Sequence, residues 1–291
     1  MNKAAGILIF LIVAVSGCTI PFYQTEEPKT VAGNEGLRIE SFGPDVEFPI
    51  PNQPINIEVI VKNVGDAVAK NVKASPYLLA WSDYTGEKTC ASSLNPPNPE
   101  INREGEECKV KWSVTTPSNI KEPQTYDVGV SVTYEYETNT LITVYALSEE
   151  RYVKKREAGE PIEMVKSIVN SDAPIHVEAR MQNVLKLGSK DIPITLIFKN
   201  VGNGNVKYEN YRYKLDSVSA KVKGLGINLD TSDCTTVFMR GGREGSCQIK
   251  LDLSSYGPPT YHELKIPIEV ITTYTYTINA ETKMTVHPTL E

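Results

Sequence analysis

The sequence predicts an all-β protein made of two antiparallel β-sandwiches that follow one another along the chain. A set of sequence blocks occurs twice, and runs of alternating apolar and polar residues within the blocks are typical of strands with one buried face. The composition is rich in Tyr, Val, Thr and Ile, and Pro and Gly are spread throughout. No long amphipathic helical pattern interrupts a copy, so two packed sheets are the simplest way to bury these strands.

The repeat is visible when the chain is aligned with itself. Residues 57–74 read IEVIVKNVGDAVAKNVKA, and residues 194–208 read ITLIFKNVGNGNVKY. Each is an apolar strand that runs into Lys-Asn-Val-Gly. Two further pairs of blocks follow in the same order, 103–114 with 243–253 and 128–138 with 268–278. Three matching blocks at similar spacing indicate that one strand-rich unit occurs twice.

The matches place the first β-sandwich domain at residues 37–146 and the second at 175–287, each about 110 residues long, a usual size for a seven-stranded sandwich. Residues 147–174 form the linker, in which Ser148 precedes two glutamates and Lys154-Lys155-Arg156 follows. This charge order suits a short helix, because acids favour its start and bases its end. An extended charged linker is the alternative, and in either case we expect a rod or a hinged pair of domains.

The alternation also predicts which side chains share a buried face. In the first copy these are Val128, Val130, Val132, Tyr134 and Tyr136, and in the second Ile266, Ile268 and Val270.

The Asn-Val-Gly turn has a structural interpretation in both copies. The side chains of Asn63 and Asn200 can hydrogen-bond nearby backbone, and the glycine tolerates a positive φ. The next strand then begins near Ala69 in the first copy and near Val206 in the second.

The stretch V-K-N-V-G-D-A-V-A-K-N-V within residues 57–74 resembles the CARDB-type immunoglobulin-like domain of bacterial and archaeal surface proteins. Residues 199–202 keep the turn in the second copy, and the part that follows is shorter. The resemblance implies two tandem immunoglobulin-like sandwiches outside the cell. It further implies a role in adhesion or as a spacer, with no catalytic residues to transfer.

Residues 1–18 have the layout of an export signal: one Lys, an apolar stretch, then Ser16, Gly17 and Cys18. Val15-Ser16-Gly17-Cys18 resembles the lipobox of prokaryotic lipoproteins, which implies cleavage before Cys18 and a diacylglyceryl thioether on its sulfur. An ordinary signal, an uncleaved anchor or an archaeal prepilin start are the alternatives. The polar, Pro- and Gly-punctuated residues 19–36 are predicted to be a tether. We therefore expect a lipid-anchored protein on the extracellular face of the cytoplasmic membrane.

The four cysteines after Cys18 fall two per copy, and three pairings are possible on paper. The repeat favours the disulfides Cys90–Cys108 and Cys234–Cys247, and export to an oxidising space favours their formation. A site of four metal-binding thiolates is the alternative, but the spacing contains no C-x₂-C pair.

The sequence gives no sign of catalytic chemistry. Its 30 Lys and Arg against 36 Asp and Glu make it acidic, which argues against nucleic-acid partners. It has no Gly-rich phosphate loop and no G-x-S-x-G elbow, and its three His are far apart. We predict no enzyme activity, no cofactor and no metal. A weak Ca²⁺ site of Asp230, Asp233 and Glu244 is the alternative.

Two groups of aromatic residues are candidates for a recognition surface, because Tyr and Trp are frequent in interfaces. They are Tyr77, Trp81 and Tyr84 in the first copy, and Tyr208, Tyr211 and Tyr213 in the second. The alternative is that these rings cover the sandwich end as core.

The predicted function is that of a non-enzymatic cell-surface lipoprotein acting as an adhesion, binding or spacer module. Its partners would be the membrane through Cys18, and cell-envelope proteins, glycans or another copy of itself. A structural subunit of a surface layer or pilus-like filament, assembled through exposed sheet edges, is the alternative.

Overall fold

Strands occupy most of the described residues, and each repeat block falls on a strand. The computed structural model describes residues 33–79, 81, 86–162, 164–181 and 184–289. The strands are β1 (Leu37–Pro44), β2 (Pro54–Asn63), β3 (Ala69–Tyr77), β4 (Lys88–Leu94), β5 (Glu107–Thr115), β6 (Gln124–Leu147), β7 (Val165–Asn170), β8 (Ile175–Arg180), β9 (Leu185–Lys186), β10 (Ile192–Asn200), β11 (Asn205–Val206), β12 (Tyr208–Glu209), β13 (Arg212–Leu215), β14 (Ser217–Val222), β15 (Asn228–Asp230), β16 (Val237–Met239), β17 (Glu244–Asp252) and β18 (Glu263–Val286). One α-helix, α1 (Glu149–Glu157), and the 3₁₀ turns Pro99–Ile101 and Ser232–Cys234 complete the described elements. The predicted all-β class is confirmed.

These strands form four sheets. The first sheet, β1-β2-β5, belongs to copy one, and the second sheet, β15-β17-β10-β8, belongs to copy two. The shared sheet has the order β11-β18-β6-β3-β4, with β14 beside β18 and with β7 and β9 beside β6. The small sheet is β12-β13-β16. All pairings are antiparallel except that of β9 with β6.

The shared sheet is built around two strands of 24 residues, β6 and β18. They pair along their whole length, from Gln124 opposite Val286 to Leu147 opposite Glu263. Because β6 ends copy one and β18 ends copy two, each copy's last strand completes the sheet of the other. Ala32–Glu291 accordingly forms one compact unit. The expectation of a rod or a hinged pair is therefore wrong, although the two copies remain recognisable strand by strand.

One face of this ribbon is buried. Every even-numbered residue of β6 from Val128 to Ala146 is buried, and most odd-numbered residues are exposed or half-buried. The predicted inward faces of β6 and β18 are confirmed, because all of their named residues are at most 3% exposed. A single hydrophobic cluster joins this face to the first and second sheets, with Trp112 and Phe198 among its largest side chains.

Four buried tyrosines lie at the middle of the ribbon, where Tyr134 pairs with Tyr276 and Tyr136 with Tyr274. Buried hydroxyls need partners, and here the partners are largely backbone amides. The Leu37 N–H donates to Tyr134 (3.2 Å), the Ala67 N–H to Tyr136 (3.1 Å) and the Gly204 N–H to Tyr276 (3.0 Å). Burial raises the pKa of all four phenols, that of Tyr276 to about 12, so they stay protonated.

The residues between the copies are partly a helix and partly sheet. The Ser148 hydroxyl caps α1 by accepting from the Arg151 N–H at 3.3 Å, so the predicted short helix is present. The chain then returns as β7, which pairs with residues 140–144 of β6. Residues 147–174 therefore contribute a strand to the shared sheet, which the linker interpretation did not anticipate.

Both predicted disulfides are present. Cys90–Cys108 joins β4 to β5, and Cys234–Cys247 joins the turn before β16 to β17. Cys18 and residues 19–32 of the predicted tether lie outside the described residues. The tether prediction is wrong for residues 33–36, because the buried Gly36 carbonyl accepts from the Val64 and Gly65 N–H groups and Asn34 donates to the Val201 carbonyl. Within the described part of the chain, no helix has the length and hydropathy needed to cross a bilayer.

Candidate recognition surface

The small sheet begins with a tight hairpin in which Tyr208 pairs with Tyr213 and Glu209 with Arg212. Its two loop residues, Asn210 and Tyr211, have φ values of 50° and 64°. Such a loop needs a positive φ at both positions, and Asn-Gly is the preferred pair. Here the glycine position carries a tyrosine, which strains the backbone. Tyr211 is also 91% exposed, so packing among the described residues does not explain a tyrosine here.

Further rings are exposed beside this hairpin tip. The rings of Tyr208 and Tyr213 lie 4.8 Å apart between centroids, and Tyr208 is 57% exposed. Phe238 on β16 is 51% exposed, and the Arg212 guanidinium lies 5.1 Å from the centre of its ring. The register places Tyr208 and Tyr213 on the face of Met239, and Arg212 and Phe238 on the opposite face, so the exposed rings surround the hairpin tip from both sides. We call Tyr208, Tyr211, Arg212, Tyr213 and Phe238 the aromatic patch.

The patch rests on a fixed base. On the inner face of the small sheet, Leu215, Val237 and Met239 are at most 3% exposed. Strand β16 lies directly against Gly245 of β17, where an added Cβ would fall 2.6 Å from the Phe238 carbonyl oxygen. The Cys234–Cys247 disulfide holds the turn before β16 to the same strand. The patch is thus presented by packed strands, which lowers the entropy lost when a partner binds.

Charged groups surround the rings. The Glu209 carboxylate pairs with Lys214 and, at 3.5 Å, with Lys207. The Lys214 hydrogen bond and the positive charge of both lysines lower the pKa of Glu209, and the Lys214 pKa is raised in turn. Arg212 and Arg240 form no ion pair within the described residues.

The aromatic residues of the first copy are placed differently. The Tyr77 ring covers Gly129, and its hydroxyl donates to a Glu281 carboxylate oxygen at 3.1 Å. Trp81 packs edge-on against Tyr126 with ring centres 6.1 Å apart. Both are half-buried, and none of these contacts involves the small sheet. Tyr84 lies outside the described residues.

Among the described residues, the structure therefore brings together the second set of predicted aromatic residues, Tyr208, Tyr211 and Tyr213, around one hairpin. It adds Arg212, Phe238 and Arg240, which the sequence analysis missed. Arg212 lies between Tyr211 and Tyr213 in the sequence, but Asn210-Tyr211 lacks the Asn-Gly type of pair that signals a two-residue hairpin, so the local sequence does not predict its role. Phe238 and Arg240 join it only through the pairing of β13 with β16.

The other candidate sites have weaker structural support as binding sites. A cleft of about 220 Å³ beside the buried tyrosines has a rim that includes Asn34, Arg38 and Asn203, but Glu35 already binds the Arg38 guanidinium. Its volume is below the usual 300–1,000 Å³ of ligand pockets. Among the described residues, no three His, Cys, Asp or Glu side chains converge as metal ligands. The Asp230 carboxylate, considered above for Ca²⁺, accepts instead from the Ser232 N–H at 3.0 Å.

Comparison with known proteins does not assign this chain to a family. No family model matches the chain, so the resemblance to CARDB domains stays a prediction. No curated protein matches it either. Among solved structures, it is similar to a protein of unknown function from Porphyromonas gingivalis W83, with 11% identity over 75% of this chain and 83% of that chain. The TM-score is 0.18, too low for that likeness to bear on the fold or function.

Proposed function

We propose that this protein is a non-catalytic, lipid-anchored binding module of the cell surface that contacts its partner through the aromatic patch. The observation that carries the proposal is Tyr211, a strained, almost fully exposed tyrosine at a hairpin tip. The exposed rings of Tyr208 and Phe238 lie behind it, one on each face of the small sheet. Strained residues concentrate at functional sites. Tyr and Arg are also the residue types that dominate binding energy in protein interfaces.

Attachment to the membrane through Cys18 is the second part of the proposal. The signal layout of residues 1–18 supports it. In cells that process lipoproteins, we expect Cys18→Ser to abolish the lipid mass on the N-terminal peptide and to release the protein from the membrane. An unchanged mass and unchanged membrane fractionation would refute lipidation.

Binding is tested with the full-length chain and cell envelopes of its source organism. We expect Tyr211→Ala combined with Phe238→Ala to lower binding at least tenfold, because these substitutions remove two exposed rings that contact the partner in our proposal. The control is Phe48→Ala combined with Tyr261→Ala, which removes two aromatic rings that are 64% and 37% exposed elsewhere. Equal binding of the two double variants would refute the role of the patch.

A filament or surface-layer subunit is a second candidate, favoured by the edge strand β7. There Val169 is 60% exposed and pairs with Leu141, itself 37% exposed, on the solvent side of the shared sheet. Exposed apolar edges invite pairing with another chain. Sedimentation at rising protein concentration should then show assembly that Val169→Lys abolishes. A monomer at all concentrations would rule this candidate out.

A further inference from the structure

The small sheet has two faces, and the charges lie on one of them. Residues directly opposite each other in an antiparallel pair share a face. The inner face carries Leu215, Val237 and Met239, as described above, and the same pairing places Tyr213 and Tyr208 on it. The outer face carries Glu209 and Arg212, which pair directly, and Lys214, which pairs with Phe238. Continuing the register of β13 and β16 by one pair places Arg240 opposite Arg212 on this outer face.

The outer face carries the four cations Lys207, Arg212, Lys214 and Arg240 against the carboxylates of Glu209 and Glu244, on a chain whose net charge is −6. Lys207 belongs to it because the Lys214 N–H donates to the Lys207 carbonyl and both ammonium groups reach Glu209. The Glu209 carboxylate is therefore already engaged, and the nearby Asp216 carboxylate accepts from the Thr275 hydroxyl. Glu244 faces Arg240 across an isolated β-bridge, yet the two side chains form no ion pair. Arg212 and Arg240 are thus left with guanidinium donors to offer.

An apolar ring lies among these cations. Phe238 is half-exposed and lies between Lys214, its strand partner, and Arg212, which stacks on it at 5.1 Å. Stacking holds the Arg212 side chain in place and leaves its edge free for a planar, bidentate carboxylate. A ligand that fits this face has carboxylates next to an apolar side chain.

We propose that this face of the small sheet binds an acidic segment of a partner protein. Carboxylates of the partner pair with Arg212 and Arg240, and its apolar side chains pack on Phe238 and Tyr211. Such a segment supplies both groups side by side, whereas an anionic polysaccharide supplies the charges without the apolar side chains. The inference rests on the proposed function, to which it adds the chemistry of the partner.

The direct test measures binding of labelled probes to the full-length chain by fluorescence anisotropy at low and high salt. The first probe is a peptide that alternates glutamate with tyrosine, and the second replaces each glutamate by glutamine. We expect the glutamate peptide to bind at least about tenfold more tightly, with an advantage that shrinks as salt rises. Equal binding of both peptides, or binding of neither, overturns the proposal.

Matched variants locate the site. Arg212→Gln combined with Arg240→Gln should weaken binding of the glutamate peptide at least about tenfold. Arg103→Gln combined with Arg180→Gln removes the same charge from two exposed arginines outside the small sheet, and should leave binding unchanged. Equal effects of the two pairs overturn the assignment. Alginate or phosphatidylglycerol vesicles that bind more tightly than the peptide overturn the choice of a protein partner.

The cell-envelope assay distinguishes a failure of this inference from a failure of the proposed function. If the Tyr211 and Phe238 double variant loses binding and the Arg212 and Arg240 double variant keeps it, the patch is functional but its partner is not acidic. If both variants bind as the wild type does, the proposed function itself fails.

Discussion

Asn63 is fully buried, yet each polar atom of its side chain has a partner. Its amide nitrogen donates to the carbonyls of Ala67 and Leu94, both at 2.8 Å, and its amide oxygen accepts from the Gly65 N–H at 3.2 Å. Asn200 repeats this arrangement in copy two, donating to Gly204 and Gly242 at 2.9 and 3.1 Å, but it is only half-buried. The repeated Lys-Asn-Val-Gly sequence thus encodes a turn whose backbone groups are satisfied by its own asparagine.

We predict that Asn63→Ala lowers the free energy of unfolding by about 2–3 kcal/mol, because it leaves buried carbonyls without a donor. Asn200→Ala should lower the free energy of unfolding by less, because Asn200 is half-buried and water can reach its hydrogen-bond partners. Asn203→Ala, an exposed residue in the same turn of copy two, is the control and should change stability by less than about 0.5 kcal/mol. Urea unfolding measures all three, and equal losses for Asn63 and Asn203 would contradict the interpretation.

Glu269 is a nearly buried carboxylate on β18, at 6% exposure. Hydrogen bonds from Lys223 (2.5 Å) and Lys221 (2.9 Å), together with their charge, lower its pKa to about 2. A carboxyl whose pKa is lower in the folded than in the unfolded chain stabilises the fold above pH 4.5. That stabilisation disappears as the pH falls from 4.5 towards 2.

Replacing Glu269 by Gln should therefore reduce stability at pH 7 by about 2 kcal/mol, a value discounted because both lysines are exposed to solvent. At pH 2 the variant and the wild type should be close to equal. The control is Glu137→Gln, an exposed carboxylate on the outer side of β6. Thermal unfolding across this pH range checks the prediction, and a stability difference that does not vary with pH would contradict it.

At the scale of strands, the sequence predicts which segments form strands, but it does not predict how long those strands are. The repeat blocks at 128–138 and 268–278 fall inside β6 and β18, but each strand continues well beyond its block. Alternation persists there, as in Thr140, Ile142 and Val144. That pattern only says that one face is buried. It does not say which strand lies alongside, because pairing between strands of different copies leaves no local signal.

The residues of the candidate surface were likewise predictable only where they are close in sequence. Tyr208, Tyr211 and Tyr213 lie close together in the sequence, so the sequence alone predicts that they are near each other. Phe238 and Arg240 reach the hairpin only because β16 pairs with β13, and the chain makes a long excursion through β14 and β15 between them. The sequence also could not decide whether Tyr77 belongs to an exposed surface or to the packed interior, because its hydroxyl contacts Glu281, which is far away in the sequence.

The Cys234–Cys247 disulfide is predicted to act locally on the small sheet. It links the turn before β16 to β17 across 13 residues, and Cys234 is fully buried. Replacing both cysteines by serine should lower stability by about 3 kcal/mol in the chain-entropy view. Hydrogen exchange should speed up most at residues 237–239. The same change at Cys90 and Cys108 is the control, and equal exchange at 237–239 in both variants would contradict a local role.

At the scale of the whole described unit, the two copies are held together by the pairing of β6 with β18 and by the buried tyrosines at its middle. Each half of the shared sheet needs a strand from the other copy, so neither copy buries its apolar face alone. Such mutual dependence favours a single cooperative unfolding transition. It also means that the covalent link between the copies, through α1 and β7, is not what keeps them associated.

Cutting that link is the sharpest test. A protease site inserted between Gly159 and Glu160, two exposed residues just after α1, allows the folded chain to be cut there. Both disulfides lie within one fragment or the other, so none joins the two. Because 24 residues of β6 pair with β18, we expect the fragments to elute together in gel filtration and to separate only in denaturant. Fragments that part under native conditions would show that the copies are independent sandwiches after all.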